Sequence, residues 1–189
     1  MKPAVRIIGG HQRGKKITFS DASGLRPTPS RIRETLFNWL MHHIRGARCL
    51  DAFAGSGALG FEAWSRGATQ ITMVEASRGT FEHLKKQALL FDATIFEVIK
   101  SNALDYLNHA THPFDIIFLD PPFDTPTHLE KSIALIEEKA LLSKNGLLYT
   151  ESGTPLMLDT IHWKTLKEKK AGLVYYALHQ KQSIEPIES

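Results

Sequence analysis

At 189 residues and 21.2 kDa, with 42% hydrophobic and 23% charged residues, the chain suits one compact domain with a sizeable core. That composition excludes fibrous and disordered classes. No apolar run approaches the ~20 residues that span a bilayer, so no membrane association is expected. The N-terminus, MKPAVRIIGG, lacks the apolar stretch of a secretory signal. Cys49 is the only cysteine; lying in the apolar run RCLDAF, it reads as a buried structural thiol in a reducing compartment. A cytoplasmic location is expected.

The net charge of +3 is unevenly spread. Residues 1–33 hold Lys2, Arg6, Arg13, Lys15, Lys16, Arg26, Arg31 and Arg33 against Asp21 alone, so the remainder is mildly acidic. A basic arm on an acidic body fits a polyanionic partner, because neutralising phosphates releases counterions. Arg6, Arg13, Lys15, Lys16, Arg26, Arg31 and Arg33 are the candidate RNA-binding residues; a solvated basic surface with no partner is the alternative.

In chain order, Val5–Ile8 and Lys16–Phe19 read as two short strands around Gly9-Gly10, a small β appendage that carries the basic charge. Leu25-Arg26-Pro27-Thr28-Pro29 reads as a linker, with Thr28 as N-cap and Pro29 in the first helical position. Ile32, Leu36, Leu40 and Ile44 recur every four residues, predicting an amphipathic helix over 29–44. Strand-like segments follow at Arg48–Ala52, Gln70–Glu75, Ile95–Lys100, Phe114–Asp120, Gly146–Thr150, Trp163–Lys167 and Leu173–His179. Helical patterns at 58–66, 79–91, 103–109 and 127–141 fill the first four gaps, with Gly67 and Asn145-Gly146 as stops. Repeated β-α-β alternation predicts a parallel α/β sheet covered on both faces. Too few residues separate the last two strands for a crossover helix, so they should pair antiparallel. The expected division is an arm and linker over 1–28, a main domain over 29–182 and a frayed tail over 183–189.

The first strand of the sheet enters Asp51-Ala52-Phe53-Ala54-Gly55-Ser56-Gly57-Ala58-Leu59-Gly60. Gly55, Gly57 and Gly60 match G-x-G-x-x-G between strand and helix, a loop whose backbone can approach a ligand closely. Alone the pattern is weak: its usual reading is a dinucleotide site, with a tight turn that holds no ligand as the alternative. Asp51 argues against a pyrophosphate, which it would repel, and for a cationic ligand. Glu75 ends the second strand, placed to accept from ribose hydroxyls. Ser101-Asn102-Ala103 follows the third strand, where Asn102 can read an adenine edge. An amino acid, a ribose and an adenine in that order describe S-adenosylmethionine, with Asp51, Phe53, Gly55, Gly57, Glu75, Asn102 and Ala103 as its candidate contacts.

The fourth strand ends in Asp120-Pro121-Pro122-Phe123. The prolines stiffen the turn and carry no N–H, so carbonyl oxygens are left to accept. A carboxylate and a carbonyl together can hold both hydrogens of an exocyclic –NH2, while Phe123 stacks on the attached ring. The four residues are the candidate catalytic group, acting by positioning and electrostatics without a covalent enzyme intermediate. The amine of adenine, cytosine, guanine or a glutamine side chain all satisfy this chemistry.

Several stretches together resemble one family: Arg6-Ile7-Ile8-Gly9-Gly10, Arg13-Gly14-Lys15, Leu25-Arg26-Pro27-Thr28, Arg33–Leu40, the Asp51–Gly60 loop and Lys169-Lys170-Ala171-Gly172. From about residue 3 to residue 180 the chain resembles the RsmD family of bacterial 16S rRNA (guanine-N2)-methyltransferases. The resemblance implies a Rossmann-like class I methyltransferase fold, a seven-stranded mostly parallel sheet with an antiparallel closing hairpin. It also implies methyl transfer from S-adenosylmethionine to N2 of one guanine, with S-adenosylhomocysteine as product. The implied partner is 16S rRNA within the small ribosomal subunit or its assembly intermediate, and a monomer is expected. Asn102 stands where that family commonly has Asp, which implies altered cofactor contacts.

The nine histidines show no zinc-like spacing, so no metal is expected. Two other classes compete: a nicotinamide-dependent oxidoreductase, which leaves Asp51 and the Asp-Pro-Pro-Phe turn unexplained, and a non-catalytic RNA-binding assembly factor.

Overall fold

The computed structural model describes residues 3–19, 27–122 and 125–182. Two short strands, β1 (Ala4–Arg6) and β2 (Lys16–Thr18), form an antiparallel N-terminal hairpin. Then come α1 (Ser30–Trp39), β3 (Arg48–Asp51), α2 (Ala58–Ser65), β4 (Gln70–Glu75), α3 (Arg78–Phe91), β5 (Phe96–Lys100), α4 (Ala103–His109), β6 (Phe114–Leu119) and α5 (Pro126–Glu138). The chain closes with β7 (Leu142–Ser152), β8 (Trp163–Ala171) and β9 (Val174–Lys181).

Strands β3 to β9 make one seven-stranded sheet in the order β5-β4-β3-β6-β7-β9-β8. The first five are parallel, and β9 enters antiparallel between β7 and β8. The expected mostly parallel sheet with an antiparallel closing hairpin is thus present. The strand order reverses between β3 and β6, and the crevice at such a switch point is where open α/β sheets bind ligands.

Each face of the sheet buries its own core. Ile32, Leu36 and Phe37 of α1, Leu59, Phe61 and Trp64 of α2 and Leu84 of α3 pack on one face. Leu107 of α4 and Leu129, Ile133 and Ile136 of α5 pack on the other. Strands covered on both sides read as near-continuous apolar runs, as FDIIFL in β6 does. Cys49 is fully buried there, and burial pushes its thiol well above the ordinary range, so it is inert packing.

Some boundaries differ from expectation. The first helix ends at Trp39, although Leu40 and Ile44 stay buried. Beyond it the chain tightens, with the His43 and Ile44 N–H groups both donating to the Leu40 carbonyl before Gly46 reverses it. Pro29, not Thr28, occupies the N-cap, and the Thr28 hydroxyl donates to Asp120 instead. Gly67 does stop α2, at φ 106°, but Asn145-Gly146 is no helix stop. Those two residues lie inside β7, where Asn145 at φ 61° helps absorb extra residues as the β6 register shifts from Phe114↔Leu142 to Ile116↔Leu147. The closing hairpin is longer than expected, with Ala171 paired to Val174 across a two-residue turn. The polar pattern of β8 hid its length, since a sheet-edge strand needs no continuous apolar face.

The arm is not a free appendage. Ile7 and Ile17 are buried in the main core, and the Ile8 and Gly9 N–H groups donate to the Glu62 carboxylate at 2.8 and 2.9 Å. Gly10 passes so close to α2 that a Cβ there would sit 1.7 Å from the Ser65 carbonyl oxygen. With φ at +78°, only glycine fits without moving the backbone.

Candidate active site

Parallel pairing of β3 with β6, through Asp51↔Phe118, brings the two sequence-predicted loops to one rim of the sheet. Asp51 is the last residue of β3 and Asp120 follows β6 directly. Pairing of β4 with β3 and β5 sets Glu75 and Ser101-Asn102 along the same edge. Among the described residues, every expected cofactor contact therefore lies at the carboxyl ends of β3, β4 and β5.

The glycine loop is held by its own backbone. Gly57 caps α2 at φ 76°, and the Ala54 carbonyl accepts from its N–H at 2.7 Å. A Cβ on Gly57 would meet Leu84 and Phe61 at 2.5 and 2.6 Å, so the turn depends on glycine. Glu75 clasps the loop: its carboxylate accepts from the Gly55 N–H at 3.0 Å and from the Ser77 N–H at 2.7 Å. A carboxylate has about four lone-pair sites, so Glu75 retains acceptor capacity for a pair of hydroxyls.

Asp51 is 2% exposed, and its carboxylate accepts from the Gly60 N–H at 3.2 Å. Burial is the main cause that pushes its pKa up to about 7, and the nearby Asp120 and Glu75 push the same way. Such a carboxyl is badly placed as an anion in the free protein and well placed beside a cation. The donor set thus fits a ligand bearing ammonium and sulfonium charges and disfavours a pyrophosphate.

The folded-state pKa of Asp51 lies above the ordinary 3.8, so the folded chain keeps a proton that the unfolded chain has released. The stability linked to this group is complete below about pH 4 and is lost as pH rises through about 7. Asp51→Asn, which keeps an acceptor for Gly60, is expected to stabilise the free protein at pH 8 by about 1–2 kcal/mol, or roughly 3–6 °C. Calorimetric melting at pH 8 and pH 5 checks this, since the gain should shrink at pH 5 while S-adenosylmethionine binding weakens.

Asn102 caps α4: its side chain accepts from the Asp105 N–H at 2.8 Å and donates to the Asp105 carboxylate. It is exposed at the rim, and Ala103 opens the helix beneath it. Phe53 is half-buried, its ring stacked 6.4 Å from that of His128. Asp120 keeps part of its surface open and accepts from the Thr28 hydroxyl at 3.1 Å. Burial pushes its pKa up to about 6, and the Thr28 bond partly offsets this. Pro121 is buried and Pro122 exposed, with the Pro122 carbonyl accepting from the Thr125 hydroxyl at 2.8 Å. Phe123 lies outside the described residues, as does Arg26.

The basic candidates divide. Arg6, Arg13, Lys15, Lys16 and Arg31 are exposed, with the Lys15 ammonium 4.5 Å from the centre of the Phe91 ring. Arg33 is a correction. It is fully buried, 3.3 Å from Glu62, which is also fully buried, and it cannot reach RNA. Its guanidinium donates to the Thr28 and Arg6 carbonyls, at 3.1 and 3.0 Å, and so ties arm, linker and α2 together. Burial lowers its pKa and Glu62 acts against that. Trp39 stacks on Tyr176 at 5.4 Å, while Trp64 and Trp163 are buried. Among the described residues no His/Cys/Asp/Glu group fits a metal ion, and no helix is long and apolar enough to cross a membrane.

Sequence reading missed the partners across the site. Thr28 on Asp120, Tyr149 on Glu151 and Arg33 on Glu62 join residues whose proximity no local pattern announces, apart from the spacing of the two β7 residues.

Residues 5–180 match the family model described as Conserved hypothetical protein 95. The Ribosomal RNA small subunit methyltransferase D of Escherichia coli (strain K12) is 44% identical over 181 residues, covering 95% of this chain and 91% of that protein. The protein of the same name from Haemophilus influenzae is 45% identical over 185 residues, covering 95% of each chain. The solved structure of the putative methyltransferase yhhF from Escherichia coli superposes with a TM-score of 0.88 at 42% identity, over 96% of this chain and 100% of that one. A family model spanning nearly the whole chain, and relatives this similar over more than nine-tenths of their length, agree with the rim geometry: the chain belongs to the RsmD family of ribosomal RNA small subunit methyltransferases.

Proposed function

We propose that this protein methylates the exocyclic N2 of one guanine in 16S rRNA, taking the methyl group from S-adenosylmethionine and releasing S-adenosylhomocysteine. The observation that carries this reading is the Asp120-Pro121-Pro122 turn, set by β3–β6 pairing beside the glycine loop and Asp51. The rRNA substrate is supported by the names of relatives 44–45% identical to this chain and by the exposed arm residues Arg6, Arg13, Lys15 and Lys16.

When bound, S-adenosylmethionine supplies a methyl group activated by an adjacent sulfonium charge. Asp51 would hold the cationic amino-acid end, Glu75 the ribose hydroxyls, and Asn102 with Ala103 the adenine. The Gly55–Gly57 backbone allows close approach without side-chain obstruction. Guanine N2 is a poor nucleophile because its lone pair is delocalised into the ring. Asp120 and the Pro121 carbonyl would accept its two hydrogens, orienting the remaining lone pair toward the methyl carbon. In such a transfer, which would form the N–C bond and break the C–S bond, the Asp120 carboxylate would take the proton N2 loses. Phe123 would stack on the extruded base. The substrate is the small subunit or an assembly intermediate of it, engaged by the basic arm and Arg31.

Mass spectrometry of small-subunit rRNA from cells with and without the protein tests this. One N2-methylguanine should vanish with the protein; an unchanged methylation map would sink the proposed substrate.

A further inference from the structure

The amine-binding chemistry of Asp120 does not by itself distinguish guanine from adenine or cytosine. A second carboxyl group stands beside it. Strands β6 and β7 pair in register through Phe118↔Tyr149 and Leu119↔Thr150, so Asp120 and Glu151 are neighbours at the next step. Side chains alternate along a strand, and the Phe118 and Tyr149 rings meet at 6.3 Å on one face. Asp120 and Glu151 lie two residues on from these and share that face, the one α1 covers.

Glu151 is 3% exposed, and Tyr149 donates to its Oε1 at 2.7 Å. On its other side β9 places Tyr176, itself buried and stacked against Trp39. A buried acid beside another acid is an expensive arrangement that packing alone does not need. Burial and the Asp120 charge push Glu151 up to about 8, and the single donor from Tyr149 offsets this only in part. A ligand bringing donors would complete the site.

Among the amino-bearing bases, only guanine presents a ring N–H next to its amine. Adenine N1 and cytosine N3 offer a lone pair there instead, which the Glu151 carboxylate repels, whereas a guanine N1–H donated to Glu151 favours that carboxylate in the complex. Resting on the function proposed above, we infer that Glu151 is the guanine-selecting residue, accepting the base N1–H while Asp120 and Pro121 hold the adjacent amine. Tyr149 orients the Glu151 carboxyl through Oε1 and leaves Oε2 for the base.

The test uses the full chain and reconstituted small-subunit particles carrying either guanine or 2-aminopurine at the target position. 2-Aminopurine keeps the C2 amine but has a lone pair at N1 and no O6. Wild type should methylate the guanine particle roughly a hundredfold or more faster, since a site built around a substrate N–H rejects the analogue lacking it. Glu151→Ala should bring the two rates close together by slowing the guanine reaction, and Glu151→Gln, which keeps an acceptor oxygen, should restore much of the preference. S-adenosylhomocysteine titration should show both variants binding as wild type does. Should the alanine variant fail to fold, Glu151→Leu fills the space without an acceptor and makes the same comparison. Full discrimination by a folded Glu151→Ala or Glu151→Leu, or none by wild type, overturns the inference alone. A wild type that leaves the guanine particle unmethylated overturns the proposed function and this inference with it.

Discussion

Asp120→Ala is expected to lower the rate of methyl transfer by roughly 10³-fold or more while S-adenosylhomocysteine still binds nearly as in wild type. The asymmetry follows from position. Asp120 lies past the end of β6, on the side of the crevice toward β7, whereas Asp51, Glu75 and Asn102 line the ends of β3, β4 and β5. Removing Asp120 leaves the proposed cofactor contacts in place and takes away the proposed acceptor for the target amine. It also relieves a like charge on Asp51, which works against any loss of cofactor affinity through that residue. Rapid single-turnover assays on small-subunit particles, with calorimetric titration of the cofactor product, separate the two effects. Loss of cofactor binding would move Asp120 from the target side of the site to the cofactor side. The pH profile carries the same assignment. In the proposed mechanism Asp120 works as the carboxylate, and its pKa is raised to about 6, so wild-type activity should climb as pH rises through that region. Asp120→Asn should flatten that limb.

The second large effect is on stability. Glu62→Gln is expected to cost about 3–5 kcal/mol in urea unfolding, because it leaves the buried Arg33 guanidinium without its charge partner. Glu62 receives more than Arg33: the Ile8 and Gly9 N–H groups and Arg66, at 2.8 Å, converge on the same carboxylate. A neutral amide cannot accept at both ends. The arm should therefore loosen before the sheet does, and affinity for the small subunit should fall although Glu62 itself never faces RNA. Hydrogen exchange at Ile7, Ile8 and Gly9 reports the loosening directly. Unchanged protection there, together with an unchanged unfolding midpoint, would show that the pair does not hold the arm.

Much of this molecule is legible locally. The Gln70–Glu75 strand is found with the expected bounds, and 103–109 is the fourth helix, because apolar period and capping chemistry act over a few residues. The glycine loop is equally local: Gly57 is demanded by a left-handed turn packed against Leu84 and Phe61. Asp51 and Asp120 could be paired from sequence because parallel β-α-β order sends both strand ends to one rim. The length of β8 was hidden, since an edge strand rich in lysine carries no strong period. Thr28 was read as a cap by its place before a helix, yet a carboxylate 92 residues away takes its hydroxyl.

The sequence by itself determined the order of elements, the parallel sheet with its antiparallel last pair, and the two loops at one rim of it. These follow from short-range periodicity and the geometry of crossover connections. Only the tertiary structure decided which charges face water. Arg33 falls on the apolar stripe of α1, over Leu36, Phe37 and Leu40, while Arg31 lies over Glu34, Thr35 and Asn38. Yet a charge on that stripe still reads as a surface residue until its partner is known. Its burial is set by Glu62, 29 residues on, which makes a charge inside the protein tolerable where α1, α2 and the arm converge. Glu151 lies just past the Gly146–Thr150 strand read from the sequence, and β6–β7 register sets it beside Asp120. Burial and partnership depend on long-range packing, and so does the difference between a surface charge and a working one.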